Sequence, residues 1–194
     1  MPKESPYTVL VRELPVHKDF DVPGPLVAEW LKGLPVRDIL DPPEADPQAG
    51  EGHASLDLYE DGAHAFARGK FTGRVTVACS RCVTPVELPI DENLLVTFMP
   101  KSELPEGTTG PEDEDGVEVA DGQLDVFPYD GEHIDLEPLF REQFVLAVPY
   151  APLCKDDCKG LCAQCGIDKN TGTCQCEKPI DPRLAPLRGL KLPT

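Results

Sequence analysis

The cysteines carry most of the chemistry that this sequence offers. Six of the eight lie within the 23 residues that end at Cys176, and two of these form Cys162-Ala-Gln-Cys165, followed directly by Gly166. Two thiolates at this spacing can bind one ion, and the glycine lets backbone amides turn toward the sulfur atoms. Four thiolates in a tetrahedron suit zinc. We therefore predict that zinc binds four of these six cysteines: Cys154, Cys158, Cys162, Cys165, Cys174 and Cys176.

The spacing does not decide which four cysteines serve. We expect Cys162 and Cys165 to be members of any site, with Cys158 and Cys176 as the next choices. Disulfide bonds are the alternative, and they need an oxidising compartment. The N-terminus has no apolar run like that of a signal peptide, and no stretch of about 18 apolar residues is present. We therefore expect a cytoplasmic protein without a membrane span, whose clustered cysteines are ligands.

The remaining pair, Cys79 and Cys82, permits three interpretations: a redox pair, half of a second metal site, or packing at the end of a strand. A redox pair needs its first thiol at the N-terminus of a helix, where the thiol pKa falls. The residues that follow, Val83-Thr84-Pro85-Val86, combine β-branched side chains with a proline and disfavour such a helix. The other two interpretations stay open.

The elements around these cysteines are predicted to be mainly short strands. Alternating apolar residues and turn signals such as Asp61-Gly62 indicate an antiparallel, curved sheet. Its predicted strands are 7–14, 54–59, 63–67, 71–78, 83–89, 93–99 and 124–127. The expected core of the sheet and its helix includes Leu56, Leu58, Val75, Val77, Leu95, Phe98, Phe140 and Phe144.

Two short helices complete the prediction. One spans Pro25 to Gly33 and has Trp30 as a core anchor, and the other opens around Asp135 and ends at Pro149. The fold class is therefore α+β, with a C-terminal cysteine-rich zinc appendage. We divide the chain into a domain at 1–150 with an acidic loop at 101–122, a zinc-binding segment at 151–181, and a tail at 182–194.

The charges are distributed unevenly. The net charge is -17, which disfavours a general nucleic-acid binder because phosphates are repelled. The loop at 101–122 carries eight acidic side chains against one lysine, whereas the stretch from Gly62 to Cys82 has four basic residues and no acidic one. These four form either a face for RNA or a partner, or a solvated sheet face: Arg68, Lys70, Arg74 and Arg81.

Signals of catalysis are missing from the sequence. It contains no Gly-rich phosphate loop, no Ser-His-Asp constellation and no nucleophile elbow, and its four histidines lack metal spacing relative to one another. We therefore expect no catalytic residues, no enzyme activity and no small-molecule substrate.

Several separate pieces of the sequence together resemble one family. They are Cys79-Ser80-Arg81-Cys82 at a strand end, an acidic central loop, the run 158–166 with Cys174 and Cys176, and Ile180-Asp181-Pro182-Arg183-Leu184. This order and spacing, over roughly residues 70 to 190, is similar to that of the YceD family, the large ribosomal RNA subunit accumulation proteins. The chain departs from the family pattern at Ala163, where proline is usual, and at Lys169, where leucine is usual.

The resemblance implies a role in making or stabilising large-subunit ribosomal RNA and a link to a large-subunit ribosomal protein. We accordingly expect a bacterial ribosome-biogenesis factor that binds a basic ribosomal protein or a large-subunit pre-ribosomal particle, because an acidic chain complements a cationic one. Ribosomal RNA would be met directly or through that partner. The alternatives are a thiol-dependent oxidoreductase that uses Cys79 and Cys82, and a zinc-ribbon regulatory module.

Overall fold

A computed structural model describes residues 5–32, 50–103 and 126–176. These ranges contain seven strands and two α-helices, so the predicted α+β class with two helices is confirmed. In chain order, the elements are β1 (Thr8–Leu10), β2 (Val16–Val22), α1 (Gly24–Trp30), β3 (Gly50–Asp61), β4 (His64–Ala78), β5 (Pro85–Pro100), β6 (Val126–Tyr129), β7 (His133–Asp135) and α2 (Glu137–Ala147).

The main sheet is mixed rather than purely antiparallel. Its strand order is β2-β3-β4-β5-β6; strands β2 to β5 pair antiparallel, whereas β6 pairs parallel with β5. The short strands β1 and β7 form a separate antiparallel pair. The chain between β5 and β6 is long enough to bring β6 back in the parallel direction, which a hairpin turn cannot do.

The strands β3, β4 and β5 are longer than the apolar pattern predicts. Strand β4 runs continuously through Arg68-Gly69-Lys70, where two separate strands were predicted. Gly69 fits there because a Cβ atom would collide with the carbonyl oxygen of Ser55 on β3. The β3–β4 hairpin turns at the predicted position, where Gly62 has a φ of 66°.

Both helices contribute to the core on the inner face of the sheet. The ring of Phe71 on β4 lies 5.7 Å from that of Phe140 and 5.5 Å from that of Phe144, and Trp30 contacts Phe144 at 6.0 Å. Of the predicted core residues, only Leu95 is misplaced, because it is 65% exposed. Leu94 and Val96, on either side of it in β5, are buried, and the side chain of Leu95 points to the opposite, exposed face.

Two boundaries differ from the prediction for local reasons. The predicted first strand ends at Leu10, and a 3-10 turn, Val11–Glu13, follows it. The segment predicted to open the second helix instead forms β7, and α2 begins only at Glu137. Asp135 still serves that start, since its carboxylate accepts a hydrogen bond from the backbone N–H of Glu137 at 3.0 Å.

Some predicted segments lie outside the described residues. These are the tail at 182–194 and the acidic loop at 101–122 apart from Lys101–Glu103, which forms a 3-10 turn. Within the described ranges, neither helix has the length and apolar character needed to cross a membrane.

Candidate metal centres

The eight cysteines gather into two groups of four. We call Cys79, Cys82, Cys154 and Cys158 the inner cysteine group, and Cys162, Cys165, Cys174 and Cys176 the outer cysteine group. Within each group, all four sulfur atoms lie within 4.8 Å of one another. Each group can therefore hold one metal ion.

The inner group joins the turn between β4 and β5 to the segment that follows α2. The Sγ atoms of Cys79 and Cys158 lie 3.8 Å apart, and those of Cys82 and Cys154 lie 3.5 Å apart. Three members are buried: Cys79 is 0% exposed, Cys158 3% and Cys82 6%. These three form a small apolar cluster of their own, against which Val86 and Leu153 pack.

The turn that carries Cys79 and Cys82 is held by its own backbone. The N–H of Cys79 donates to the carbonyl of Thr84, and the N–H of Val83 donates to the carbonyl of Cys79, both at 2.9 Å. Val83 has a φ of 62°, a left-handed conformation that β-branched residues rarely adopt. This turn directs both sulfur atoms to the same side.

Backbone contacts fix the second half of the inner group onto that turn. The N–H of Ser80 donates to the carbonyl of Pro152 at 2.8 Å, and the N–H of Leu161 donates to the carbonyl of Arg81 at 3.0 Å. Gly160, with a φ of 69°, lies so close to the Arg81 carbonyl that a Cβ atom would come within 2.8 Å of it. The cysteine-rich segment is therefore docked on the sheet.

The outer group lies within one compact loop. Its Sγ atoms are separated by 3.2 Å between Cys162 and Cys174, and by 3.7 Å between Cys165 and Cys174. The N–H of Cys162 donates to the carbonyl of Ile167, and Gly166, which follows Cys165, takes a left-handed conformation with a φ of 71°. Cys162 is buried, whereas Cys165 and Cys176 are exposed.

Asn170 connects the two groups. Its Nδ2 donates to the Sγ of Cys158 at 3.4 Å and to the carboxylate of Asp168 at 2.7 Å, and its Oδ1 accepts from the N–H of Lys159 at 2.9 Å. Asn170 is not a candidate site residue by sequence, because an asparagine between cysteines has no metal spacing. Only the folded loop places it beside a sulfur atom of the other group.

The sulfur positions fit a tetrahedral zinc ion. A Zn–S distance of about 2.3 Å requires sulfur atoms about 3.8 Å apart. The two distances in the inner group, 3.8 and 3.5 Å, lie close to this value, as does the 3.7 Å distance in the outer group, whereas the 3.2 Å distance between Cys162 and Cys174 is shorter. The groups contain only thiol donors, and soft thiolate ligands favour zinc over magnesium or calcium.

The protonation of the thiols also suits a cation. Burial raises the pKa of Cys79, but backbone N–H groups, first that of Arg81, lower it more, to about 6. Backbone N–H groups of its own turn lower the pKa of Cys162 to about 6. Burial and neighbouring thiols raise the pKa of Cys154 to about 12, and neighbouring thiols do the same for Cys176. Each group thus contains at least one thiol whose pKa is lowered, and a bound cation would stabilise the further thiolates.

The grouping differs from the predicted choice of ligands. Cys162, Cys165 and Cys176 fall together as expected, but Cys158 belongs to the inner group and Cys174 takes the fourth place of the outer group. Cys79 and Cys82 join Cys154 and Cys158, so each of the eight cysteines belongs to one of the two groups. The spacing within 154–176 cannot reveal this, because the inner group spans 80 residues of sequence.

The four basic residues do not form one free cationic face. Arg68, Lys70 and Arg74 lie along the outer side of β4, but Lys70 pairs with Asp91 at 2.8 Å, and Arg74 pairs with two glutamates. Arg81 lies instead in the cysteine turn, where its guanidinium donates to the carbonyl of Cys158 at 3.0 Å. Among the described residues, only Arg68 of these four has no such partner.

Comparisons with known proteins agree on one family. The family model described as large ribosomal RNA subunit accumulation protein YceD matches residues 67–191. A chloroplastic protein of Zea mays, named large ribosomal RNA subunit accumulation protein YCED homolog 1, is 34% identical over 132 residues, which cover 60% of this chain and 45% of the relative. An uncharacterized protein of Mycobacterium tuberculosis is 35% identical over 109 residues, which cover 56% of this chain and 47% of the relative.

A chloroplastic protein of Arabidopsis thaliana with the same name as that of Zea mays is 26% identical over 171 residues, covering 80% of this chain and 52% of the relative. The chain thus spans about half the length of the curated relatives it matches. No solved structure matches it. The matched range, 67–191, contains all eight cysteines and both sides of the contact between the β4–β5 turn and the cysteine-rich segment. The chain therefore belongs to the YceD family.

Proposed function

We propose that this protein is a non-enzymatic ribosome-biogenesis factor that supports the accumulation of large-subunit ribosomal RNA. The observation that carries the proposal is the family match over residues 67–191, together with the names of its plant relatives. It acts by binding a basic ribosomal protein or a large-subunit pre-ribosomal particle. Its acidic surface suits such partners, because opposite charges accelerate their encounter.

Two zinc ions have a structural role in this proposal, one in each cysteine group. In the inner group, zinc would link the β4–β5 turn to the segment after α2 through Cys79, Cys82, Cys154 and Cys158. In the outer group, it would close a loop that has few buried apolar side chains. Both ions stabilise a surface and take no part in a reaction.

The surroundings of Cys79 and Cys82 disfavour the oxidoreductase alternative. Both thiols are buried, and the residues after them lead into strand β5 and not into a helix. A catalytic thiol needs an accessible, electropositive position, usually at a helix N-terminus. Iodoacetamide labelling separates the two functions: a catalytic thiol reacts rapidly near neutral pH, whereas we expect Cys79 and Cys82 to react slowly until zinc is chelated.

Depletion of the protein in growing cells tests the function. We expect large-subunit ribosomal RNA to fall relative to small-subunit RNA, and a wild-type copy to restore it. The double variant Cys79→Ser/Cys82→Ser should fail to restore it, whereas Glu60→Gln, an exposed change in β3 far from any cysteine in sequence, should succeed. An equal loss of both RNAs, or no loss, would contradict the proposal.

A further inference from the structure

A groove between α1 and α2 is a second candidate interaction site, apart from the cysteines. It has a volume of about 980 Å³. Its apolar lining includes Leu26, Trp30, Val145 and Leu146. Leu146 is 72% exposed, although it projects from a helix whose other large apolar side chains, Leu139, Phe140 and Phe144, are buried. Leu146 extends the apolar lining of the groove, and contiguous apolar surface, rather than a single exposed side chain, marks an interaction site.

The rim of the groove is acidic. Four carboxylates line it, those of Glu29, Asp135, Glu137 and Glu142, against a single guanidinium from Arg141. Glu137 is held within the fold, since it accepts hydrogen bonds from Ser5 at 2.8 Å and from the Trp30 indole at 3.4 Å. Neither Glu29 nor Glu142 forms an ion pair with any residue that the structure describes. Both carboxylates are exposed, and no residue of the described ranges competes with a ligand for them.

This combination of charge and apolar surface selects the class of occupant. A negative rim repels RNA phosphates and anionic membranes, so neither is expected to bind here. Two adjoining helices with an apolar floor between them suit a peptide segment that presents apolar side chains on one face, and carboxylates at the edge select lysine or arginine beside them. The geometry points to the α1–α2 groove as the docking site for a basic, amphipathic segment of a partner protein.

Two segments outside the described residues carry the wrong charge to occupy the groove. Residues 33–49, which follow α1, carry four acidic side chains and one arginine, and residues 104–125 carry eight acidic side chains and no basic one. Like charges would oppose the rim. The C-terminal residues 180–194 do match, with three basic side chains and one acidic one among several leucines. The test therefore includes that segment as a rival occupant.

The first probe is a fluorescently labelled 14-residue peptide of lysine and leucine at amphipathic helical spacing, titrated with the full zinc-loaded chain and followed by anisotropy. We expect Leu146→Ser and the double variant Glu29→Gln/Glu142→Gln each to weaken binding about tenfold, through the loss of apolar burial and of ionic contacts respectively. The matched control is Glu60→Gln/Asp61→Asn, which removes two charges from the β3–β4 hairpin and should change binding by less than about twofold. Equal effects in groove and control variants, or none in the groove variants, would overturn the assignment.

Two further probes identify the occupant, and this step rests on the proposed function. The second probe is a set of overlapping peptides that covers the basic proteins of the large ribosomal subunit. We expect some of these peptides to bind the protein and to lose affinity with Leu146→Ser and with Glu29→Gln/Glu142→Gln. If only the Lys–Leu peptide loses affinity with these variants, the groove is confirmed as a docking site and the ribosomal partner is excluded. If a peptide of residues 180–194 binds the groove more tightly than every other probe, the occupant is the chain's own terminus and the external partner is wrong.

Discussion

At the scale of single residues, Val83 has a left-handed backbone conformation, which is sterically unfavourable for a β-branched side chain. Its φ of 62° costs a non-glycine residue about 1–2 kcal/mol, whereas glycine pays no such cost. Glycine also loses about 0.5–1 kcal/mol more conformational entropy on folding. We therefore expect Val83→Gly to leave the free energy of unfolding unchanged or to raise it by up to about 1 kcal/mol. Denaturant unfolding of the zinc-loaded protein measures this.

Val86 supplies the control for that substitution. It is a partly buried valine in β5 that packs against both apolar clusters, so Val86→Gly loses apolar burial as well as backbone entropy. We expect it to lower the free energy of unfolding by about 2 kcal/mol. Equal destabilisation by the two glycine substitutions would show that Val83 is not strained in solution.

The positions of the cysteine sulfur atoms predict how many metal ions the chain binds. Because the eight sulfur atoms form two separate groups, we expect two zinc atoms per chain. Cys79→Ser removes one ligand from the inner group and Cys176→Ser removes one from the outer group, so each variant should retain one zinc. Native mass spectrometry, combined with elemental analysis, counts the ions. One zinc in the wild-type protein would refute the two-centre arrangement.

The sequence predicts the outer group better than the inner one. Cys162, Cys165 and Cys176 are close in sequence, and the glycine after Cys165 marks the turn that holds them. The inner group depends on contacts between distant parts of the chain. One of them is the hydrogen bond from the N–H of Leu161 to the backbone carbonyl of Arg81 on the β4–β5 turn. Such contacts follow from tertiary structure and leave no trace in local spacing. The sequence therefore left Cys79 and Cys82 open between a metal site and packing.

At the scale of elements, the two cysteine groups stabilise different lengths of chain. The outer group closes only residues 162–176, whereas the inner group ties the described segment from Pro152 to Cys176 to the sheet. Cys165→Ser should therefore open the outer loop alone, and trypsin should cleave at Lys169. Cys158→Ser should instead release the attachment to the sheet, with cleavage at Lys155 and Lys159, while the intact outer group protects Lys169. Mass spectrometry of the fragments distinguishes the two patterns.

The main sheet supplies the internal control for this proteolysis. Lys70 and Arg74 lie in the middle of β4, whose inward side chains belong to the larger apolar core and not to the cluster around Cys79. Both sites should stay uncleaved in the two variants. Early cleavage there in Cys165→Ser would mean that the sheet and the cysteine segment unfold as one cooperative unit.

Prediction of elements from the sequence succeeded where one face of a strand is buried. The alternation of Ala54, Leu56 and Leu58 gives the inward face of β3 correctly. It failed where pairing depends on distant chain, as for β7, a three-residue strand that exists because it pairs with β1. Leu95 is predicted in the core, but the alternation of β5 turns its side chain outward. Local pattern cannot supply a partner strand or fix the phase of a long one.

At the scale of the whole molecule, the charge is strongly negative, and part of the basic surface is paired with carboxylates. The chain carries 35 acidic residues against 18 lysines and arginines. On the outer face of β4, the cations of Lys70 and Arg74 already have carboxylate partners. A phosphate backbone would have to compete with those pairs, which weakens the case for direct RNA binding at this face.

This charge balance leads to a prediction about the direct partner. We expect the purified protein to bind basic large-subunit ribosomal proteins with an affinity that falls as salt rises, and to bind bare large-subunit RNA only weakly at physiological salt. Replacing Arg68, Lys70 and Arg74 with alanine should abolish any residual RNA binding and leave protein binding intact; Arg81 is kept, because its guanidinium donates to the carbonyl of Cys158. Affinities measured across a salt series for both ligands provide the comparison. Tight RNA binding that survives the triple substitution would reverse the assignment, because the phosphates would then be bound by a surface outside these three side chains.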